Sequence, residues 1–191
     1  DTEKTNRYLD ISNQQLKKLE IMVEKLLETA TLDTDKLLLH KEPTNIVSTI
    51  RNLVEKYKVI HPEKNISFHS NMEQLIAGID PFHFENTLSN LIDNAIKYGG
   101  DSIDIHLKYL SPNLEIIVQD NGSGIEKSQR EKVFEKFYRI GSEETRKQAG
   151  SGLGLYIVDE YFRLHNGSIL CFENKPTGSI FELILPIWTE K

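Results

Sequence analysis

The spacing of apolar residues divides the chain into two parts with different patterns. Residues 1–35 contain neither glycine nor proline, and their apolar positions follow a heptad repeat with lysine and glutamate on the outer face. This narrow apolar stripe predicts one long amphipathic helix. It either packs on its own domain or, as we favour, contacts another helix in an oligomer or between domains. The stripe consists of Leu9, Leu16, Val23 and Ala30, with Leu19 and Leu26 interleaved and Met22 and Leu27 beside them.

The rest of the chain alternates between strand and helix patterns. Pro43 predicts the first turn of a helix over 44–60, which His61 and Pro62 end. Asp80 followed by Pro81 is an N-cap signal for a long helix that reaches Tyr98. The sum is a helical segment followed by an α/β sandwich of about 150 residues. Strands are predicted near 37–40, 66–69, 75–79, 103–109, 114–119, 168–173 and 179–185, and further helices near 128–135 and 152–165.

Composition and charge narrow the function classes. The 191 residues carry 23 basic and 29 acidic side chains, a net charge of -6, which argues against charge-driven nucleic-acid binding. No apolar run approaches the ~18–20 residues that cross a bilayer. The single cysteine, Cys171, excludes an internal disulfide framework and fits a reducing compartment. Because residue 1 is Asp, we expect the sequence to be a piece of a longer protein.

The predicted helix over 81–98 gathers polar side chains on one side. Asn90, Asn94, Lys97 and Tyr98 fall within a stripe of about 80°, and apolar residues fill the opposite side. A carboxamide oxygen can ligate Mg²⁺, an ammonium can bind phosphate and a phenol ring can stack on a base. By itself, this pattern is equally compatible with a plain solvated face.

Three further segments carry candidate chemistry. Residues 120–125, Asp-Asn-Gly-Ser-Gly-Ile, follow a strand; the two glycines permit close backbone approach and the carboxylate can accept from an amine, although a bare turn is the alternative. Residues 134–139 form an aromatic cluster. Taken alone, this cluster indicates only the end of a helix that packs on the core. Residues 150–155, Gly-Ser-Gly-Leu-Gly-Leu, open a helix, whose N-terminus favours an anion, and match neither a Walker A loop nor G-x-G-x-x-G.

Together and in this order, the four segments resemble the catalytic ATP-binding domain of sensor histidine kinases, in the GHKL (Bergerat-fold) ATPase superfamily. Residues 90–98 resemble the N box, 120–125 the G1 box, 134–139 the F box and 150–155 the G2 box. The resemblance implies an α+β fold, in which helices cover one face of a mixed β-sheet and one long amphipathic helix precedes it. Residues 1–35 would be the second helix of the dimerisation and phosphotransfer region, and residues 36–191 the catalytic domain.

The resemblance also implies a role for each matching residue. Asn94 would ligate the Mg²⁺ that bridges the phosphates, Asn90 would lie nearby, and Lys97 would bind the phosphate oxygens. Tyr98 would stack on adenine. Asp120 would accept a hydrogen bond from the amino group of adenine, directly and through water. The remaining implied positions are Gly122, Gly124 and Ile125 around adenine, Gly152, Leu153 and Gly154 at the phosphates, Ser179 bonded to Asp120 or a water, and an ATP lid over about 139–151.

Two departures from the family pattern define the expected reaction. Hydrolytic members have a Glu four residues before the Mg²⁺ ligand, but this chain has Asn90, which cannot act as a general base. This favours phosphoryl transfer over hydrolysis. None of the six histidines has the sequence context of the family's phosphoacceptor. These are His40, His61, His69, His83, His106 and His165.

The expected function is therefore that of a protein-histidine kinase core. It would bind ATP with Mg²⁺, transfer the γ-phosphoryl to a histidine outside this sequence for relay to a response regulator, and not phosphorylate itself. Its partners would include a second copy, in a homodimer through the N-terminal helix, but no nucleic acid and no membrane. A cytoplasmic location is expected for this sequence, whether or not the parent is anchored in the bacterial inner membrane. The alternatives are a GHKL-type ATPase and a nucleotide-binding module without phosphotransfer.

Overall fold

The first part of the chain is a single long helix. The computed structural model describes residues 2–32, 39–141 and 150–187, and the chain divides into two units, residues 1–38 and 39–191. The first unit contains α1, Thr2–Leu32, which agrees with the helix predicted from the heptad repeat. None of the described helices is both long and apolar enough to span a bilayer. The heptad residues Leu9, Leu16, Leu19, Val23 and Leu26 are 42% to 62% exposed.

The second unit is built on a mixed five-stranded sheet. The strand order is β2-β4-β5-β7-β6; β2 runs parallel to β4 and the other neighbours are antiparallel. A separate antiparallel pair joins β1 and β3. The strands are β1 Glu42–Asn45, β2 Asn65–Ser70, β3 Ile76–Ile79, β4 Ser102–Leu110, β5 Asn113–Asp120, β6 Ser168–Glu173 and β7 Ser179–Pro186, and the helices are α2 Ile46–Ile60, α3 Pro81–Tyr98 and α4 Gly154–Leu164.

Helices cover one face of this sheet. In β5 and β7 every second residue is buried, because a strand directs alternate side chains to opposite faces. The buried side of the sheet meets apolar residues of α2, α3 and α4 in one core. The predicted α+β architecture, a mixed sheet with helices on one face, is confirmed. The largest fully buried side chains include Tyr161, Phe84, Phe162, Ile46, Leu88, Leu91, Ile103 and Ile105.

The ends of α3 lie where the sequence predicts them. Asp80 is the N-cap: its carboxylate accepts a hydrogen bond from the N–H of His83 at 3.1 Å, and Pro81 occupies the first turn. At the other end Gly99 donates its N–H to the carbonyl of Ala95 at 2.7 Å. Local capping chemistry therefore fixes the length of the helix that carries the polar stripe.

The predicted role of Pro43 is wrong. Pro43 lies in β1, opposite Gly78 of β3, and α2 begins only at Ile46. Asn45 caps the helix instead, with its side chain accepting from the N–H of Ser48 at 3.4 Å. A proline cannot donate a backbone hydrogen bond within a sheet, but it is tolerated in edge strands, and both strands of a two-stranded pair are edge strands. Asn45, three residues before Ser48, supplies the stronger signal for the start of the helix.

Two other predicted elements also differ. The strand predicted near 37–40 is not formed at 39–40, and residues 37–38 lie outside the described residues. The helix predicted near 128–135 consists of two 3₁₀ turns, Lys127–Gln129 and Lys132–Phe134. Only Val133 is buried in them, so a longer α-helix would lack the apolar face that stabilises it.

Candidate functional site

The polar stripe of α3 faces away from the core. Phe84, Leu88 and Leu91 are fully buried, whereas Asn90 and Asn94 are half-buried. Lys97 is exposed, as is the ring of Tyr98, which is 50% accessible. The helix therefore presents two carboxamides, an ammonium and a phenol on its accessible side, as its sequence predicts.

The G1 box packs directly on the C-terminal end of α3. The N–H of Asn121 donates to the carbonyl of Gly99 at 3.1 Å. A Cβ at position 122 would lie 2.2 Å from the carbonyl oxygen of Tyr98 and 2.7 Å from Cα of Gly99. Gly122 is therefore required for the approach of one protein segment to another, and no larger residue can keep this contact.

The carboxyl group of Asp120 is the buried centre of the G1 box. Asp120 is 7% exposed, and its Oδ1 accepts hydrogen bonds from the N–H groups of Gly122 at 2.9 Å and Ser179 at 3.2 Å. Burial raises the pKa of Asp120, and the two backbone hydrogen bonds oppose that rise only in part. Within the described part of the chain, no hydrogen bond reaches Oδ2.

Ser179 forms a hydrogen bond with Asp120, one of the two partners that the sequence suggested for it. The contact uses the main-chain N–H of Ser179, not its hydroxyl. The register of β7 beside β5 delivers this N–H to the carboxylate, since the residue that follows Ser179 pairs with Gln119. Any residue with a free N–H could supply the same hydrogen bond.

The turn between β6 and β7 is a part of the site that sequence reasoning missed. The side-chain amide of Asn174 donates to the main-chain carbonyl of Asp120 at 2.7 Å. A Cβ at Gly178 would lie 1.9 Å from that same carbonyl oxygen, and Gly178 has φ +122°. The only local signal was the position of these residues between two predicted strands, which indicates a turn but not its distant contact.

The F box and the G2 box are joined through their backbones. The N–H of Phe137 donates to the carbonyl of Gly152 at 3.0 Å. Phe137 has φ +62°, a left-handed conformation that costs free energy for a residue with a side chain. A Cβ at Gly152, which has φ +73°, would lie 2.7 Å from the carbonyl carbon of Phe137. This strained contact was not detectable from local pattern.

The G2 box also borders the polar stripe. A Cβ at Gly154 would lie 3.1 Å from Oδ1 of Asn90, and one at Gly150 would lie 3.7 Å from the hydroxyl of Tyr98. Leu153 directs its side chain into the interior and precedes the first turn of α4. Residues 142–149 of the predicted lid lie outside the described residues. Of the other predicted positions, Ile125 packs against the core and Gly124, with φ +73°, faces the carbonyl of Gly178.

The four boxes thus lie against one another beside the accessible side of α3, and they bring together two chemically different groups. One group combines the buried Asp120 carboxylate with the accessible ring of Tyr98, which suits a hydrogen-bonding aromatic ligand. The other group combines Asn90 with the glycine-rich N-terminus of α4, an 11-residue helix whose first N–H groups and dipole suit an anion. This arrangement fits a nucleotide.

Comparison with known proteins identifies the family of the chain. Residues 79–189 match the family described as histidine kinase-, DNA gyrase B-, and HSP90-like ATPase. This span contains all four boxes, and the chain belongs to this ATP-binding family. Within it, the similarity is to the catalytic ATP-binding domains of sensor histidine kinases, which confirms the resemblance drawn from the motifs.

Individual relatives show how far the similarity extends. The chain is 32% identical over 178 residues to the signal transduction histidine-protein kinase ArlS of Staphylococcus haemolyticus; this covers 92% of the chain but 39% of ArlS. A solved chain of the mycobacterial sensor histidine kinase MprB superposes with a TM-score of 0.66 at 25% identity, and the match covers 78% of this chain and 99% of the solved chain. Histidine kinase ThkA, solved in complex with the response regulator TrrA, superposes with a TM-score of 0.75 at 24% identity. This match covers 97% of this chain and 52% of the solved chain.

The raised pKa of Asp120 predicts how its replacement changes stability with pH. The folded state holds this proton at higher pH than the unfolded state, so ionisation of Asp120 lowers stability as pH rises through its pKa. Asp120→Asn removes this loss and keeps an oxygen for the two backbone N–H groups. We expect the variant to gain stability relative to the wild type as pH rises above about 4, the ordinary pKa of an aspartate side chain.

Urea denaturation at several pH values would measure this difference. Asp101→Asn, at a carboxylate whose side chain is 93% exposed, controls for the general removal of a negative charge. A steady loss of stability of Asp120→Asn relative to the wild type as pH rises would show that the site favours the carboxylate.

Proposed function

We propose that the chain binds ATP together with Mg²⁺ in the cleft between α3 and the G2 box and acts as the kinase core of a two-component sensor. The observation that carries the proposal is the placement of the buried Asp120 carboxylate and the Tyr98 ring at one end of the polar stripe, and the N-terminus of α4 at the other. Membership of the ATPase family supports nucleotide binding as such.

Adenine would bind at the Asp120 end. Oδ1 of Asp120 already accepts two backbone hydrogen bonds, which leaves Oδ2 for the exocyclic amine of the base. The exposed ring of Tyr98 offers a stacking surface. A carboxylate selects adenine over guanine here, because guanine carries an oxygen where adenine carries the amine.

The phosphates would bind at the α4 end. Backbone N–H groups at Gly152 to Gly154 and the ammonium of Lys97 are the donors there. The amide oxygen of Asn94 is a suitable Mg²⁺ ligand, with phosphate and water completing the shell. Within the described residues, no group of three or more His, Cys, Asp or Glu is arranged to hold a metal ion without the nucleotide. Bound Mg²⁺ would neutralise phosphate charge, and the protein would position the reacting groups.

The chemistry would be transfer to a histidine, not hydrolysis. Asn90 stands where a hydrolytic enzyme needs a general base, and a carboxamide cannot take a proton from water. The chain spans 39% of ArlS, so the acceptor and the sensor region would lie in other parts of the parent protein. A response regulator is the proposed final recipient, supported by the complex in which ThkA was solved. The cytoplasm, where ATP and such regulators occur, is the proposed location.

A homodimer through α1 is the proposed assembly. The heptad stripe leaves five large apolar residues at least 42% exposed along the helix, and a repeat of this kind stabilises a helix only when a second helix covers it. In the parent protein a preceding helix would complete the dimerisation region. With α1 alone, we expect weak, concentration-dependent association.

Replacing Asn94 tests the nucleotide site. We expect Asn94→Ala to lower the Mg²⁺-dependent affinity for ATP about tenfold or more, with the fold retained, because the ion loses its amide ligand. We expect Asn94→Asp to lower it as well, because the added negative charge repels the phosphates. Titration of a fluorescent ATP analogue with Mg²⁺ and with EDTA would measure the effect. Asn86→Ala, two turns earlier on α3, is the matched control. Unchanged Mg²⁺-dependent affinity of Asn94→Ala would reject the assignment.

Radiolabelled ATP distinguishes the three candidate activities. With γ-labelled ATP, we expect the chain to bind nucleotide but to form no phosphohistidine and to release phosphate only slowly. Phosphohistidine on this chain would contradict the missing acceptor, and steady ATP turnover well above background would favour a GHKL-type ATPase. Binding without transfer, after the parent's preceding helix is restored, would favour a module without phosphotransfer.

The assembly can be tested by charging the stripe. We expect the wild type to associate as its concentration rises and Leu16→Lys to remain monomeric, because a lysine at a heptad position opposes helix pairing. Sedimentation velocity would measure this. Leu110→Lys, at a leucine of similar exposure in β4, controls for added charge. A wild type that stays monomeric at all concentrations would contradict association through α1.

A further inference from the structure

Asp80 makes more contacts than an N-cap requires. Its Oδ1 accepts from the N–H of His83 at 3.1 Å, which is the cap itself. Its Oδ2 accepts from the N–H of His40 at 2.9 Å, 40 residues earlier in the chain. Asp80 is 4% exposed, although caps of surface helices are commonly solvated. Burial alone would raise the pKa of Asp80, but the two backbone N–H groups and nearby histidines hold it below its usual value.

A third segment reaches the same residue. The hydroxyl of Tyr161, in the second half of α4, donates to the main-chain carbonyl of Asp80 at 3.2 Å. Tyr161 is 2% exposed, and burial raises the pKa of its hydroxyl, which therefore remains a donor. Asp80 thus joins residues 39–41, the start of α3 and the end of α4. We refer to Asp80 with the His40 N–H and the Tyr161 hydroxyl as the Asp80 clasp.

The two helices joined by the clasp also meet at the nucleotide site. Asn90 of α3 lies against Gly154, the first residue of α4. The two helices are therefore fixed to each other at both ends of their contact. With 18 residues, α3 is about 27 Å long at about 1.5 Å per residue, and a helix of that length transmits displacement as a rigid element.

We propose that Asp80 is a positioning residue for the nucleotide site, and that its bond to the His40 N–H couples residues 39–41 to nucleotide affinity. The inference rests on the proposed function, because it takes the cleft between α3 and α4 as the site. A serine would cap α3 equally well; only a carboxylate also reaches His40 with its second oxygen. Coupling between two sites is reciprocal, so bound nucleotide strengthens the His40 bond by the factor that the bond adds to affinity.

Two substitutions at His40 isolate the backbone bond. His40→Pro removes the N–H, whereas His40→Ala keeps it and removes only an exposed side chain. We expect His40→Pro to weaken binding of the fluorescent ATP analogue with Mg²⁺ about fivefold to tenfold, and His40→Ala to bind like the wild type. Equal affinity of the two variants would overturn the inference.

A second residue tests whether the effect passes through this bond. Asp80→Asn keeps an oxygen for the His83 N–H but turns its amide donor towards the His40 N–H. We expect the same loss of affinity as in His40→Pro, and no further loss when the two are combined, because both remove one interaction. Additive losses would mean that the two residues act separately and would overturn the coupling.

Hydrogen exchange tests the coupling in the unmodified chain. Saturating Mg²⁺ and ATP analogue should slow exchange of the His40 amide by the factor that His40→Pro loses in affinity, a change that a purely structural cap would not produce. Unchanged exchange would overturn the inference even if His40→Pro does not fold. Asn94→Ala separates the two proposals: normal nucleotide binding by that variant counts against the proposed function, whereas equal binding by His40→Pro and His40→Ala counts against the clasp alone.

Discussion

The structure depends on satisfying the backbone and carboxyl group of one residue at the end of β5. Asp120 is buried, so its carboxylate needs donors and its main-chain carbonyl needs a partner. Two backbone N–H groups and the side chain of Asn174 meet these needs. Their segments can come close enough only because Gly122 and Gly178 carry no side chain. The end of α3, the G1 box and the turn before β7 therefore form one junction, and the proposed nucleotide site lies beside it.

Much of the architecture was predictable from the sequence because it is determined locally. The apolar periodicity predicted α1, α3, α4 and most strands, and the Asp80–Pro81 pair fixed the start of α3 to the residue. The errors occurred where a partner distant in the chain decides the outcome. Pro43 is in a strand because β3 lies beside it. Likewise, no local pattern indicated the left-handed conformation of Phe137 or the hydrogen bond from its N–H to Gly152. Neither β3 nor Gly152 can be identified as a partner from the residues next to Pro43 or Phe137 in the sequence.

In the candidate site, too, the residues that local pattern determines were predictable and those that depend on distant contacts were not. Asn90, Asn94, Lys97 and Tyr98 could be grouped from helical geometry alone, and the structure keeps them on the accessible side of α3. Helical geometry could not identify the residues that contribute through main-chain contacts. Asn174 and Gly178 show their role only once β7 lies beside β5. The resemblance to histidine kinases supplied what spacing could not, namely that four weak signals belong to one pocket.

The register of β7 beside β5 has a consequence for biosynthesis. A ribosome makes the N box, the G1 box and the F box well before Ser179, and a nascent chain of that length contains most of the side chains proposed to touch nucleotide. Its Asp120 would still lack the N–H of Ser179 and the amide of Asn174. A competent pocket can therefore form only after Ser179 has been made, and its formation requires closure of a loop of almost sixty residues.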